Sequence, residues 1–142
     1  MIYTEATKKA MRIAFEAHRG QLDRAGIDYV NHPLHLAEQM ETEDETCAAL
    51  LHDVVEDSDW TLEQLREEGI PEAAVEAVAL LTHDERVPYL DYVAATRENP
   101  IAVKVKLADL AHNSDFGRLA DVTEADRERL RRYEAARNLL LT

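Results

Sequence analysis

Apolar residues recur along this chain at intervals of three and four positions, the spacing that places them on one face of an α-helix. In the first such segment, over residues 4–18, Ala10, Ile13 and Ala17 share a face. No segment alternates convincingly between apolar and polar residues as a strand does, and the chain has only 4 Gly and 4 Pro. The pattern therefore predicts an all-α fold.

Residues that start and stop helices divide this pattern into about eight helices. Capping boxes are predicted where Thr42 precedes Glu45 and where Thr61 precedes Gln64, and prolines suit the first turn of further helices. Residues 21–31 form a loop. The predicted helices cover residues 4–18, 33–40, 42–58, 61–69, 71–81, 88–97, 101–112 and 123–141.

The length and charge of the chain limit its organisation and its partners. A chain of 142 residues has the size of one domain, so we expect a single domain over 1–142, with its motifs between residues 18 and 113. The 16 Lys and Arg against 29 Asp and Glu give a formal net charge of −13. Nucleic-acid polymers and anionic membranes select basic surfaces, so neither is expected as a partner. Because no transmembrane run or signal peptide is evident, we expect a cytoplasmic protein.

The third predicted helix carries four polar residues directly after the apolar stretch AALL. At 3.6 residues per turn, His52 and Glu56 would lie about 40° apart, as would Asp53 and Asp57, so all four can face one cleft. Carboxylates buried beside an imidazole are costly unless they are paired or bind a metal. The arrangement indicates a bound cation; taken alone, such a cluster could equally be a solvated helix end.

Two further segments offer ligands to the same cation. In VKVKLADLAHN, Asp109 lies within an apolar helix, with Asn113 four residues later on nearly the same face, and His32 begins another helix. Two imidazoles and two carboxylates form a mixed nitrogen and oxygen set, which suits manganese or iron and tolerates zinc. Because such a metal activates water and polarises a phosphoryl oxygen, we predict phosphate-ester hydrolysis. Glu56 and Asp57 remain to position or deprotonate the water.

The motifs AHRGQ, RAGIDYVNHPL, AALLHDVVEDS and VKLADLAHN together resemble the HD superfamily of metal-dependent phosphohydrolases. More narrowly, they resemble the hydrolase domain of the RelA/SpoT enzymes and the small alarmone hydrolases that consist of that domain alone. The resemblance implies an all-helical HD fold and removal of the 3′-pyrophosphate from guanosine tetra- or pentaphosphate. It also implies one divalent metal ion, usually Mn²⁺, held by His32, His52, Asp53 and Asp109.

The same resemblance implies roles for four more residues. Glu56 and Asp57 match the catalytic acidic pair, Arg24 matches an arginine that contacts the nucleotide, and Asn113 matches an asparagine on the sugar or phosphate side of the ligand. The chain departs from the alarmone hydrolases at Ala25, where a second basic residue is common, and also at Asp28, His83 and Leu110. These departures bear on the substrate rather than on the metal.

Two alternatives for the function therefore stay open. One is an HD phosphatase for another nucleotide, such as a mononucleotide or a dinucleotide cofactor phosphate, and the other is a noncatalytic module that binds a nucleotide and regulates a partner. The expected ligand is in each case a small anionic nucleotide. The last helix mixes charges of both signs, which predicts a solvent-exposed face, with pairing in a homodimer as the alternative.

Overall fold

The computed structural model describes residues 1–142 and contains only helices and their connections, which confirms the all-α prediction. A single antiparallel bridge between Leu22 and Asp28 is the one strand-like contact, and it lies inside the predicted loop. Two short 3₁₀ turns lie at Thr96–Glu98 and Phe116–Arg118. The helices are α1 Glu5–Ala17, α2 Asn31–Ala37, α3 Glu43–Leu51, α4 Val54–Asp57, α5 Leu62–Glu67, α6 Glu72–Leu81, α7 Tyr89–Ala95, α8 Pro100–Asn113 and α9 Glu124–Leu141.

Helix α3 is the central element of the fold. It packs against α1, α2, α6 and α8, and all six residues from Thr46 to Leu51 are buried. A segment surrounded in this way is apolar on nearly every side rather than along one stripe, whereas the first turn of α3 is acidic. Because α3 ends at Leu51, the next side chain, His52, lies in the interior of the protein.

The predicted helix over residues 42–58 is interrupted, which is why the structure has nine helices instead of eight. His52 and Asp53 lie in a turn between α3 and α4, and the Asp53 backbone has φ −107° and ψ 0°. The His52 ring nitrogen Nδ1 lies 2.8 Å from the Ala49 carbonyl oxygen, the group that would accept the Asp53 N–H in a continuing helix. A side-chain hydrogen bond of this kind competes with the helix. The continuous helix predicted here is therefore wrong.

The two predicted capping boxes have different outcomes. At Thr61 the box is complete, because its hydroxyl accepts the Gln64 N–H and the Gln64 side chain accepts the Thr61 N–H. At Thr42 only the first bond forms. The Glu45 carboxylate instead accepts the Glu41 N–H and pairs with Lys104 of α8. A tertiary ion pair has replaced the second half of the box.

Helix α9 covers α7 and α8 at the C-terminal end of the chain. Ala136 is fully buried there, with Tyr133 and Leu140 partly buried beside it, whereas Arg137 is exposed. No helix of the protein is both long and apolar enough to cross a bilayer.

Leu50 provides a test of where the core lies, because none of its surface is exposed. Leu50→Ala would leave a cavity in α3, so we expect the free energy of unfolding to fall by about 2–5 kcal/mol. Leu90→Ala is the control, since Leu90 is 44% exposed, and it should change stability by no more than about 0.5 kcal/mol. Urea denaturation followed by circular dichroism measures both, and equal midpoints would contradict this position of the core.

Candidate metal centre

Four polar side chains meet at the end of the central helix. His32 comes from α2, His52 and Asp53 from the turn after α3, and Asp109 from α8. Nε2 of His32 lies 2.9 Å from Oδ1 of Asp109, and Nε2 of His52 lies 3.6 Å from the same oxygen and 3.0 Å from Oδ2 of Asp53. The four residues predicted from the sequence as metal ligands are thus neighbours in space. One ligand atom each from His32, His52 and Asp109 lies within 4.8 Å of the others.

The cluster is buried, and neighbouring charges offset the cost of burial for His52, Asp53 and Asp109. His32, His52 and Asp109 are 3%, 2% and 6% exposed. Burial alone would lower the pKa of His52, but the Asp53 and Asp109 carboxylates outweigh it and raise that pKa well above its usual range. Burial would likewise raise the pKa of Asp109, which Lys106 and the two histidines instead hold well below its usual range. The pKa of Asp53 falls to about 2, since the charge of His52 outweighs its burial.

The hydrogen bonds of the two histidines fix which nitrogen faces the carboxylates. His52 Nδ1 donates to the Ala49 carbonyl at 2.8 Å, so its other nitrogen, Nε2, points into the cluster, where it is buried and has no hydrogen-bond partner. His32 Nδ1 lies 2.7 Å from Nδ1 of His112, a residue whose pKa is lowered to about 4 by burial and by the charges of His32 and Arg118. This contact at Nδ1 leaves Nε2 of His32 facing Asp109.

This arrangement fits a divalent cation. Two imidazole Nε2 atoms, each oriented by a hydrogen bond at Nδ1, face carboxylate oxygens, which is how metal-binding histidines are held in proteins. A cation bound at Nε2 of His52 would neutralise the Asp53 and Asp109 carboxylates that face this nitrogen, and metal binding displaces protons from such ligands. The donor set of nitrogen and oxygen matches manganese, iron or zinc.

Three residues that support this cluster were not assigned a role from the sequence. The Tyr29 hydroxyl donates to Oδ2 of Asp53, and burial together with that carboxylate raises the pKa of Tyr29. Lys106 Nζ donates to Oδ2 of Asp109 at 2.8 Å, and His112 holds His32. Lys106 and His112 each lie three residues from Asp109, so helical spacing was the signal that could have indicated both.

A cleft of about 500 Å³ adjoins the cluster at Asp53. Glu56 and Asp57 line it, and burial raises the pKa of each above the usual carboxyl range, reinforced by the charge of Asp53. Oε1 of Glu56 accepts the backbone N–H of His83 at 2.7 Å, which fixes one of its oxygens and only partly offsets the raised pKa. The two acids predicted as catalytic therefore face the same cleft as Asp53.

Both predicted substrate contacts also line this cleft. Arg24 is exposed there, whereas Asn113 lies closer to the cluster, because its amide donates to Oδ1 of Asp109 at 3.0 Å. A second arginine, Arg118, enters from the 3₁₀ turn after α8 and lies 3.3 Å from Asp23. Nothing in the sequence pattern had indicated Arg118. Two further acids, Asp23 and Asp115, also line the cleft, together with apolar and aromatic side chains: Leu22, Phe116, Leu119 and Tyr133.

Three other basic side chains lie outside the cleft. Lys104 pairs with Glu45 at 2.8 Å on another face of α8. The His35 ring packs on His112, with ring centroids 4.3 Å apart, and the His83 ring stacks on Tyr92 at 4.5 Å. Neither Lys104, His35 nor His83 is among the residues that line the cleft.

Comparison with known proteins assigns the family. A family model described as HD domain matches residues 10–132, so the chain belongs to the HD domain family. It is 34% identical over 118 residues, covering 75% of this chain, to a probable GTP pyrophosphokinase of Mycobacterium leprae. It is 32% identical over 122 residues, covering 78% of this chain, to a guanosine-3′,5′-bis(diphosphate) 3′-pyrophosphohydrolase of Aquifex aeolicus. The matches cover only 15% and 18% of the length of those two relatives.

A solved structure shows the same fold. Its report is titled "A metazoan ortholog of SpoT hydrolyzes ppGpp and plays a role in starvation responses", and the match has a TM-score of 0.76 at 23% sequence identity. It covers 99% of this chain and 93% of the other. The helical HD fold predicted from the sequence motifs is thereby confirmed.

Proposed function

We propose that this protein is a metal-dependent phosphohydrolase that removes the 3′-pyrophosphate from guanosine tetra- or pentaphosphate. The observation that carries the proposal is the buried cluster of His32, His52 and Asp109, which opens through Asp53 onto a cleft lined by arginines and by carboxylates of raised pKa. The name of the Aquifex relative, a guanosine-3′,5′-bis(diphosphate) 3′-pyrophosphohydrolase, supports the choice of substrate.

The proposed cofactor is one divalent ion, Mn²⁺ in the first place and Fe²⁺ or Zn²⁺ as alternatives. His32, His52, Asp53 and Asp109 would hold it. When bound, such an ion polarises a phosphoryl oxygen and lowers the pKa of a water molecule.

The residues of the chain would perform the other parts of the reaction. Glu56 and Asp57, with raised pKa values, are suited to take a proton from the attacking water and to return one to the leaving group. Arg24 and Arg118 supply local positive charge in a chain whose net charge is −13, so they would hold the phosphates of the nucleotide against an unfavourable overall field. Asn113 would orient Asp109 and contact the ligand.

The substrate is tested with a panel of nucleotides at fixed Mn²⁺ concentration. We expect guanosine tetraphosphate to release pyrophosphate faster than mononucleotides or dinucleotide cofactor phosphates release phosphate. A faster reaction with one of those nucleotides would identify the protein as a phosphatase for that compound. Tight binding of a nucleotide without turnover under Mn²⁺, Fe²⁺ or Zn²⁺ would instead indicate a regulatory module.

The domain organisation and the cellular location of the protein belong to the same proposal. We infer that residues 1–142 form one HD domain, with α9 as part of it, because α9 packs on α7 and α8. A cytoplasmic location and the formation of a homodimer through α9 remain predictions.

Tyr29→Phe tests the orientation of Asp53. The substitution removes the hydroxyl that donates to Asp53 Oδ2 and leaves the ring in place. Because partners of this kind orient metal ligands, we expect the Mn²⁺ dissociation constant to rise by about 10- to 100-fold in isothermal titration calorimetry. Tyr3→Phe is the control, since Tyr3 is 66% exposed and should leave the affinity unchanged. Equal affinities for the two variants would show that the hydroxyl does not orient Asp53.

A further inference from the structure

Lys106 is a buried lysine on the inner face of α8. It is 7% exposed, and its Nζ donates to Oδ2 of Asp109 at 2.8 Å. A buried ammonium group is costly unless it is paired, and the Asp109 carboxylate is its only ion-pair partner.

Two aromatic rings surround the rest of this ammonium group. Lys106 Nζ lies 5.2 Å from the centroid of the Tyr92 ring and 5.6 Å from that of Tyr89, within the range of cation–π attraction. Tyr92 is itself held in place, because its hydroxyl donates to the Leu81 carbonyl at 2.9 Å. The ring of His83 stacks on Tyr92 from the loop whose backbone holds Glu56. Lys106 therefore has little freedom to move away from Asp109.

The two oxygens of Asp109 have different partners. Oδ2 accepts from Lys106, whereas Oδ1 accepts from Asn113 at 3.0 Å and faces Nε2 of His32 at 2.9 Å and of His52 at 3.6 Å. Only Oδ1 is therefore directed at the two imidazoles.

We propose that Lys106 is a positioning residue that occupies Oδ2 of Asp109 and thereby presents Oδ1 alone to the metal ion. This inference rests on the proposed metal centre and adds to it the manner in which one ligand is held. A carboxylate free to rotate would offer either one oxygen or both, so fixing Oδ2 also fixes the number of oxygens that reach the ion.

Charge and positioning predict opposite effects of removing this lysine. Lys106 is a cation and repels Mn²⁺. Lys106→Met removes this repulsion, so on electrostatic grounds alone Mn²⁺ would bind more tightly. If Lys106 instead orients Asp109, the same substitution weakens binding, because the carboxylate loses the partner that holds it. Partners that orient ligands typically affect metal affinity by about 10- to 100-fold.

The test is isothermal titration of Mn²⁺ into metal-free protein at one fixed pH. We expect Lys106→Met to raise the dissociation constant by about 10- to 100-fold and Lys106→Arg, which retains a charged donor, to raise it less. Lys104→Met is the matched control, since Lys104 lies on the same helix and also pairs with a carboxylate at 2.8 Å, but that carboxylate is Glu45, outside the cluster. It should bind Mn²⁺ like the wild type.

The outcomes separate this inference from the proposed function. Unchanged or tighter binding by a folded Lys106→Met protein would overturn the role of Lys106 and leave the metal centre intact. A wild-type protein that binds none of Mn²⁺, Fe²⁺ and Zn²⁺ would overturn the proposed function and this inference with it.

A second measurement needs no substitution, so it applies even when Lys106→Met does not fold. In a crystal structure of the wild-type protein with Mn²⁺, we expect Oδ1 of Asp109 on the ion and Oδ2 still on Lys106. Both oxygens on the ion, with Lys106 displaced, would overturn the inference.

Discussion

Asp53→Asn is expected to lower the rate of Mn²⁺-dependent pyrophosphate release by at least about 10³-fold, the equivalent of about 4 kcal/mol in the activation barrier. Asp53 lies at the junction of the cluster and the cleft, with its Oδ2 3.0 Å from Nε2 of His52. Asparagine has nearly the same shape but no charge, so the protein should keep its fold while the centre loses an anionic ligand. Stabilisation of a phosphoryl oxygen by a metal ion contributes several kcal/mol, which is the amount expected to be lost.

The control for this substitution is Asp59→Asn. Asp59 is an exposed acid that follows α4, outside the cleft, so this variant removes the same charge from the chain without touching the centre. Steady-state assays of pyrophosphate release compare the two, with Mn²⁺ affinity measured on the same samples. Turnover of Asp53→Asn within a few-fold of Asp59→Asn would mean that Asp53 does not hold the ion.

Glu56→Gln is expected to lower kcat by about 10²- to 10⁴-fold, the usual contribution of a positioned acid or base. Glutamine can still accept the His83 N–H that fixes Glu56, so the side chain should stay in place. Glu56 is not one of the predicted ligands, so Mn²⁺ affinity should be unchanged. A lower kcat with unchanged Mn²⁺ affinity distinguishes this variant from Asp53→Asn.

The pH dependence of the wild type follows from the same residue. Burial and the charges of Asp53 and Asp57 raise the pKa of Glu56. A base must be deprotonated, so activity should fall as the pH decreases through this raised pKa, at a higher pH than an ordinary carboxyl group would give. Glu76→Gln is the control, because Glu76 lies on the exposed face of α6. This variant should keep both the wild-type rate and the same decrease in activity at low pH. A Glu56→Gln protein with the wild-type rate and profile would exclude Glu56 as the base.

The sequence was sufficient to predict the helices because their signals are local. Apolar spacing and caps such as Thr61 with Gln64 act over three or four residues. The break after α3 was missed because it depends on a bond from the His52 ring to the Ala49 carbonyl. A periodic pattern does not reveal whether a histidine donates to its own helix or points outward.

The candidate site was predictable in part. Residues such as His52 and Asp109 are recognisable because a polar group within an apolar helix needs a partner. Their supporting contacts depend on tertiary packing. Tyr29 contacts Asp53 from a loop 24 residues earlier in the chain. The position of Lys106 depends on the aromatic rings packed around its ammonium group as well as on its helical spacing from Asp109. Arg118 enters the cleft only because a 3₁₀ turn follows α8, and the sequence gives no periodic signal for such a turn.

The most direct test of the proposed reaction is analysis of its products. Metal-stripped protein is incubated with guanosine tetraphosphate in Mn²⁺ or in excess EDTA, and the nucleotides are separated by anion exchange. We predict GDP and pyrophosphate in equal amounts with Mn²⁺ and neither product with EDTA. The same turnover under chelation, or an intact nucleotide with Mn²⁺, Fe²⁺ and Zn²⁺ alike, would contradict a metal-dependent 3′-pyrophosphohydrolase.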